Sequence, residues 1–137
     1  MNARARGFTL VELVVTIGII ALLASIAYPS YIQYTQRGNR TDATRNMMLL
    51  GQALERCYSQ SFSYIGCANV PASTTTQFYT ITLATPSASE YTLTAVPNGL
   101  PQTNDTTCQK FTMSSGGVQT ALDSSNGDQT TKCWGSN

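Results

Sequence analysis

The chain has 137 residues, with eight Lys and Arg, seven Asp and Glu, no His, and a formal charge of +1; only 11% of its residues are charged. That length bounds it to about one ordinary domain. A charge content under half the usual ~25% excludes a strongly basic nucleic-acid binder. The lack of a P-loop, a G-x-G-x-x-G run or a Ser/His/Asp set leaves no residue set that looks catalytic, so no enzyme and no cofactor are expected.

In chain order, a short leader carrying Arg4 and Arg6 ends at Gly7. Residues Phe8 to Ala27 follow, with Glu12 as their single charge. As a helix at about 1.5 Å per residue, that stretch is long enough to cross about 30 Å of hydrocarbon. The Arg pair is expected to hold the leader on the cytoplasmic side and send the rest of the chain across. Glu12 is the anomaly, since an acid in a lipid-soluble segment is a candidate for function. Two plainer readings compete. A secretory signal would be cut after Ser25-Ile26-Ala27, but its apolar core is usually shorter and helical patterning here runs past Pro29. A plain anchor with Glu12 snorkelling to the interface leaves the glycine–aromatic junction unexplained.

Beyond Pro29, which is expected to bend the helix, Ala43, Met47, Leu50, Leu54 and Cys57 recur on one helical face, with Asp42, Arg45, Gln52 and Glu55 off it. The helix is thus predicted from about Phe8 to about Gln60, apolar all round in its first half and one-sided in its second. Gly18, Gly38 and Gly51 are weaker points within it. Arg37, Arg40 and Arg45 read as a solvated face, with phospholipid headgroups or a neighbour's acids as the functional alternative. Tyr28, Tyr31 and Tyr34 read as an interfacial aromatic belt or a subunit contact. Met47-Met48-Leu49-Leu50 reads as core on one face.

Residues Ser59 to Gln77 are polar loop. Strands are predicted at 78–84 and 91–96, alternating apolar residues with Thr and joined by a turn over 86–89. After a loop from Pro97 to Thr107, which holds the weak glycosylation signal Asn104-Asp105-Thr106, come strands at 110–113 and 118–121. A polar tail from Asp123 to Lys132 is pinned by Cys133-Trp134, where Trp134 is expected to pack over a disulfide. The fold expected is α+β, one long helix packed on an antiparallel sheet of about four strands.

Four cysteines, at 57, 67, 108 and 133, read in an exported chain as two disulfides with three possible connectivities. Sequence order favours Cys57–Cys67 and Cys108–Cys133. No C-x₂₋₄-C pair is present, so a zinc site is not expected.

Gly7-Phe8-Thr9-Leu10-Val11-Glu12-Leu13 after a short basic leader, with Pro29 downstream, resembles the class III signal of type IV pilins and type II secretion pseudopilins. The resemblance extends over Leu54-Glu55-Arg56 leading into Cys57, the two Thr-rich strands, Cys108 to Met113, and Cys133-Trp134. These are similar to minor pilins of the fimbrial-assembly and DNA-uptake receptor group. It implies cleavage after Gly7 by a prepilin peptidase and methylation of Phe8, leaving 130 residues with six basic and seven acidic side chains. It implies that Glu12 pairs with the amino terminus of a neighbouring subunit, a buried charge offset by its partner. The implied organisation is a leader at 1–7, a transmembrane and filament-core helix at 8–28, and a globular domain at 29–137 with its amphipathic helix to about 60, sheet at 78–122 and disulfide-closed C-terminal loop. The implied partners are other pilin subunits, the prepilin peptidase and the inner-membrane assembly machinery. The implied location is the inner membrane, single-pass with a periplasmic C-terminal domain, and then the extracellular pilus. Ala21 stands where many of the family have glycine.

The expected role is a structural, minor subunit of a type IV pilus. The alternatives are a type II secretion pseudopilin or a DNA-binding uptake pilin. Against DNA stand near-neutral charge and only two lysines, Lys110 and Lys132; its reading surface would be the loops Pro97 to Cys108 and Asp123 to Cys133.

Overall fold

A computed structural model describes residues 7–135. Helix α1 runs Leu10–Ser61, and the chain divides into two compact units between Tyr34 and Thr35.

In the N-terminal unit, Gly7, Phe8 and Thr9 precede the helix and are exposed. Thr9 caps it, because its hydroxyl accepts the Glu12 backbone N–H at 3.2 Å and its carbonyl accepts that of Leu13 at 3.2 Å. Two donors that a helix start leaves unpaired are thereby satisfied. The start is two residues later than the pattern suggested, since Thr9 serves the helix better as a cap than inside it. Within the segment an 18-residue window has a mean hydropathy of 2.5 and none of it is buried. Its hydroxyls turn back on the backbone: Thr16 donates to the Glu12 carbonyl at 2.5 Å and Ser25 to that of Leu22 at 2.7 Å. Such internal bonds let polar residues sit in an apolar surrounding. The helix continues through Pro29.

In the second unit the rest of α1 buries Gln36, Ala43, Met47, Gly51 and Leu54. Leu50 and Cys57, expected on that stripe, are only partly buried. The stripe lies on an antiparallel sheet of five strands in sequence order: β1 Ser73–Thr75, β2 Tyr79–Ser87, β3 Glu90–Pro97, β4 Lys110–Ser114 and β5 Gln119–Leu122. Register places Ile81, Ala95, Phe111 and Ala121 on one rung and Leu83, Leu93 and Met113 on the next. Seven side chains from four adjacent strands thus share one face, and six of them are buried, with Leu83 partly so. Tyr79 meets Phe111 edge-on at 5.8 Å. The opposite face is threonine: Ser73, Thr82, Thr94, Thr112 and Thr120 are register partners across all five strands.

The sheet therefore has five strands where about four were expected. Strand β1 is three polar residues with no apolar alternation, and pairing with β2 is what makes it a strand. The hairpin strands meet at the two-residue turn Ala88-Ser89, closer than the four-residue turn expected, with an irregularity between Ala84 and Ser87 where Pro86 removes a ladder donor. The tail is not all loop. Residues Thr130–Trp134 form α2. The Trp134 indole N–H donates to the Thr120 carbonyl at 2.8 Å and the Ala121 N–H to the Thr130 hydroxyl at 3.0 Å, so this segment covers the open edge of β5.

Candidate functional site

Most of the residues singled out in sequence fall in two places, with Pro29 inside α1 and Cys57–Cys67 at its end. The first is the start of the chain. Gly7 has no neighbouring atom within 4 Å of where a Cβ would lie, and Phe8 is 81% exposed. The backbone between them is thus uncovered. Glu12, in the first turn of α1, is exposed and is the single charge in a predominantly apolar stretch of the helix.

The second place is the surface built on loops 97–109 and 123–133. Cys108 is bonded to Cys133 and Cys57 to Cys67. The first bond ties the long loop after β3 to α2. The other end of that loop is held on α1 by polar groups. Arg40 makes a two-pronged ion pair with Asp105, at 2.6 and 2.7 Å. Asp105 is 2% exposed, and its carboxylate also accepts the backbone N–H groups of Thr107 and Cys108. Gln36 donates to the Pro101 carbonyl at 3.0 Å. Gln102, fully buried, donates to the Tyr79 hydroxyl at 2.7 Å and accepts from Asn39 at 3.2 Å. Burial pushes the Tyr79 phenol up to about 12; its bond with Gln102 opposes that and the nearby Asp105 charge adds to it.

Arg40 is thus not part of a solvated face, as the charge pattern suggested, because a buried carboxylate faces it. Arg37 and Arg45 are exposed. The network escaped the sequence reading because its partners are 23 to 65 residues apart. The available signal was Gln36, a polar residue seven before Ala43 and so on the core stripe, where burial demands a partner. The loops proposed for reading DNA carry acids at the surface. Backbone N–H groups of Gly127 and Ser125 hold the Asp123 carboxyl below its usual value, and the Thr130 hydroxyl and N–H do the same for Asp128. Lys132 is the base there. Trp134 packs edge-on against Phe111 at 5.9 Å, a core role.

Comparison with known proteins accords with this anatomy. Residues 2–28 match the prokaryotic N-terminal methylation motif, and residues 29–112, more than half the chain, match the family described as "Type IV minor pilin ComP, DNA uptake sequence receptor". The type IV major pilin protein PilA of Myxococcus xanthus is 38% identical over 68 residues, 50% of this chain and 31% of that protein. The prepilin peptidase-dependent protein D of Escherichia coli is 35% identical over 79 residues, 55% of this chain and 54% of that one. The match therefore spans between a third and about half of the length of these relatives. In structure the chain is similar to the non-core minor pilin PilV of Neisseria meningitidis, with a TM-score of 0.56 and 21% identity over 69% of this chain and 93% of that one, a likeness of fold. An apolar helix opening on a methylation motif, followed by a helix-backed antiparallel sheet that matches this family over most of its length, places the chain among the type IV minor pilins.

Proposed function

We propose that this minor pilin is made as a precursor and cut between Gly7 and Phe8 by a prepilin peptidase. Residues 8–28 then anchor it in the inner membrane, with residues 29–137 as the globular domain on the periplasmic side. The assembly machinery of that membrane next passes it into an extracellular pilus, where its apolar half-helix packs against those of other pilin subunits. The observation that carries this reading is the first half of α1, exposed, predominantly apolar on every side, and carrying Glu12 as its single charge. Such a surface is stable only in lipid or against similar helices. In either surrounding a lone carboxylate is expensive unless a cation meets it. The amino terminus that cleavage creates at Phe8 is such a cation, and a neighbouring subunit supplies one within the same apolar core.

A removable secretory signal passes the same test of length and apolarity. Mass spectrometry of the protein from cells separates the two. The expected product begins at N-methyl-Phe8, and a product beginning at Tyr28 would refute retention of the helix. A second reading, that the chain receives DNA during uptake, is favoured by the family description over residues 29–112; its test is taken up with the charge of the whole molecule below.

A further inference from the structure

The chain holds two asparagines followed directly by glycine, Asn98-Gly99 and Asn126-Gly127. Such a pair is chemically labile, because glycine lacks the side chain that would shield its backbone nitrogen from the preceding carboxamide. Ring closure between them makes two demands. The carboxamide must be free to swing onto the glycine nitrogen, and that nitrogen must be free to lose its proton. The fold treats the two pairs differently.

At Asn98 the carboxamide is held. Its Nδ2 donates to the Thr76 carbonyl at 3.3 Å and to the Thr80 hydroxyl at 3.2 Å. The Asn98 backbone N–H donates to the Phe78 carbonyl at 3.0 Å, which continues the pairing of β2 with β3 past Tyr79 and Pro97. Both side-chain bonds must break before the carboxamide reaches Gly99. At Asn126 the carboxamide is loose. The residue is exposed in the turn after β5, and its side chain makes no hydrogen bond among the described residues. The turn itself accounts for the residue types. Asn126 has a φ of 62°, a left-handed conformation that asparagine tolerates. A Cβ on Gly127 would lie 2.7 Å from Oδ2 of Asp123, so only glycine fits there. What is restrained here is the nitrogen. The Gly127 N–H donates to Oδ1 of Asp123 at 2.8 Å, and the Ser125 N–H shares that oxygen at 2.8 Å. A carboxylate on that proton opposes its loss. Water competes for the same bond at this surface, so the carboxylate slows the reaction without blocking it.

We propose that Asn126 is a site of spontaneous deamidation in this protein, at a rate that Asp123 sets. The Gly127 nitrogen gives its proton to hydroxide in solution and bonds to Cγ of Asn126. The Cγ–Nδ2 bond breaks, and Nδ2 takes up a proton and leaves as ammonia. Water then opens the ring at either carbonyl, leaving aspartate or isoaspartate; the net change is water in and ammonia out. Either product adds a negative charge to a loop that already carries Asp123 and Asp128, which turns it further from any anionic partner. Isoaspartate also puts an extra carbon into the backbone of the turn that the Leu122–Asp128 bridge closes. The change is independent of cleavage and of assembly through the apolar half-helix.

Incubation of the full-length protein in detergent, in warm and mildly alkaline buffer, tests it. Peptide mapping by mass spectrometry follows both pairs, and enzymatic methyl labelling reads isoaspartate. Each rate is divided by its own rate in reduced, denatured chains, which removes the effect of flanking sequence. In the folded protein the rate at Asn126 should then exceed that at Asn98 several-fold. Asp123→Ala should raise the Asn126 rate several-fold more and leave Asn98 unchanged. General loosening of the fold would speed both, so Asn98 reports on it within the same sample. Equal rates at the two pairs, an Asn126 that stays intact in the folded protein, or an Asp123→Ala chain that speeds neither pair or both alike would each overturn the proposal.

Discussion

Arg40 and Asp105 show how much a single pair of residues can decide. The carboxylate is buried and keeps two backbone donors whatever happens to its partner. Removing the guanidinium leaves its charge uncompensated, so Arg40→Ala should lower stability by about 3 kcal/mol. Arg45→Ala, on an exposed residue of the same helix, should change it by less than about 0.5 kcal/mol. Thermal unfolding followed by circular dichroism compares the two; equal effects would mean the loop is held by other contacts. Two tyrosines set the alkaline limit. Burial, with the bond to Glu55 adding to it, raises the Tyr64 phenol to about 12, and burial raises Tyr79 to about 12. An unfolded tyrosine loses its proton near 10. Above that pH the unfolded chain binds fewer protons than the folded one, so the stability these groups contribute is whole below pH 10 and is lost as pH climbs towards 12. A spectroscopic titration should show these two phenols, and Tyr91 which burial also raises, ionising late, with unfolding in that window. Glu12 belongs to this scale too. Glu12→Val removes an acid from lipid, so membrane insertion should hold, while recovery of the subunit in sheared pili should drop several-fold. Wild-type recovery would remove the pairing role from Glu12.

At the scale of elements, the two disulfides constrain different lengths of chain. Cys108 and Cys133 are 25 residues apart in sequence, Cys57 and Cys67 only 10. The chain-entropy argument gives roughly 3.5 kcal/mol for the longer loop and roughly 2.8 kcal/mol for the shorter. Replacing Cys108 and Cys133 together by Ser should therefore destabilise more than the matching change at 57 and 67. The gap should widen further, because α2 covers the β5 edge through the Trp134 and Thr130 bonds and would come loose with its anchor. Guanidinium titration of the two double variants measures the difference, and a larger loss at Cys57/Cys67 would contradict it. These elements were unevenly legible. β2 and β3 carry apolar–Thr alternation, which any half-buried strand must show, and their core faces follow from it. β1 carries no such pattern, because an edge strand of Ser and Thr is defined by its partner's hydrogen bonds. The short α2 was invisible for a like reason: a five-residue helix has too few turns to show a period, and β5 and the Cys108 bond hold it in place.

For the whole molecule, the question is charge. From Thr35 on, six basic side chains (Arg37, Arg40, Arg45, Arg56, Lys110, Lys132) face six acidic ones (Asp42, Glu55, Glu90, Asp105, Asp123, Asp128). Asp105 removes Arg40 from the cations that face solvent, and the loops nearest the C-terminus present Asp123 and Asp128. Phosphate contacts dominate affinity for DNA, so binding by the mature chain should be weak and steeply salt-dependent, at or above the ~10⁻⁴–10⁻⁶ M of non-specific contacts. A band-shift titration at about physiological salt decides the matter. Tight binding with preference for one short sequence would promote the DNA-receptor reading, and Arg37, Arg45 and Arg56 would be the cations to replace next.

What the sequence determined by itself was everything written in consecutive or periodic residues. The glycine–aromatic junction, the apolar run with one acid, the helical stripe and the two alternating strands are local patterns, imposed by 3.6- and two-residue periods and by the thickness of a bilayer. They put the long apolar helix and the α+β class, with the expected cut site and anchor, on the page before any coordinates. Tertiary structure alone decided which polar residues meet. Arg40 with Asp105, Gln36 with Pro101, and Gln102 with Tyr79 join residues 23 to 65 positions apart. Such contacts leave no period in the chain, because burial creates the demand for a partner and only the fold decides which partner is within reach.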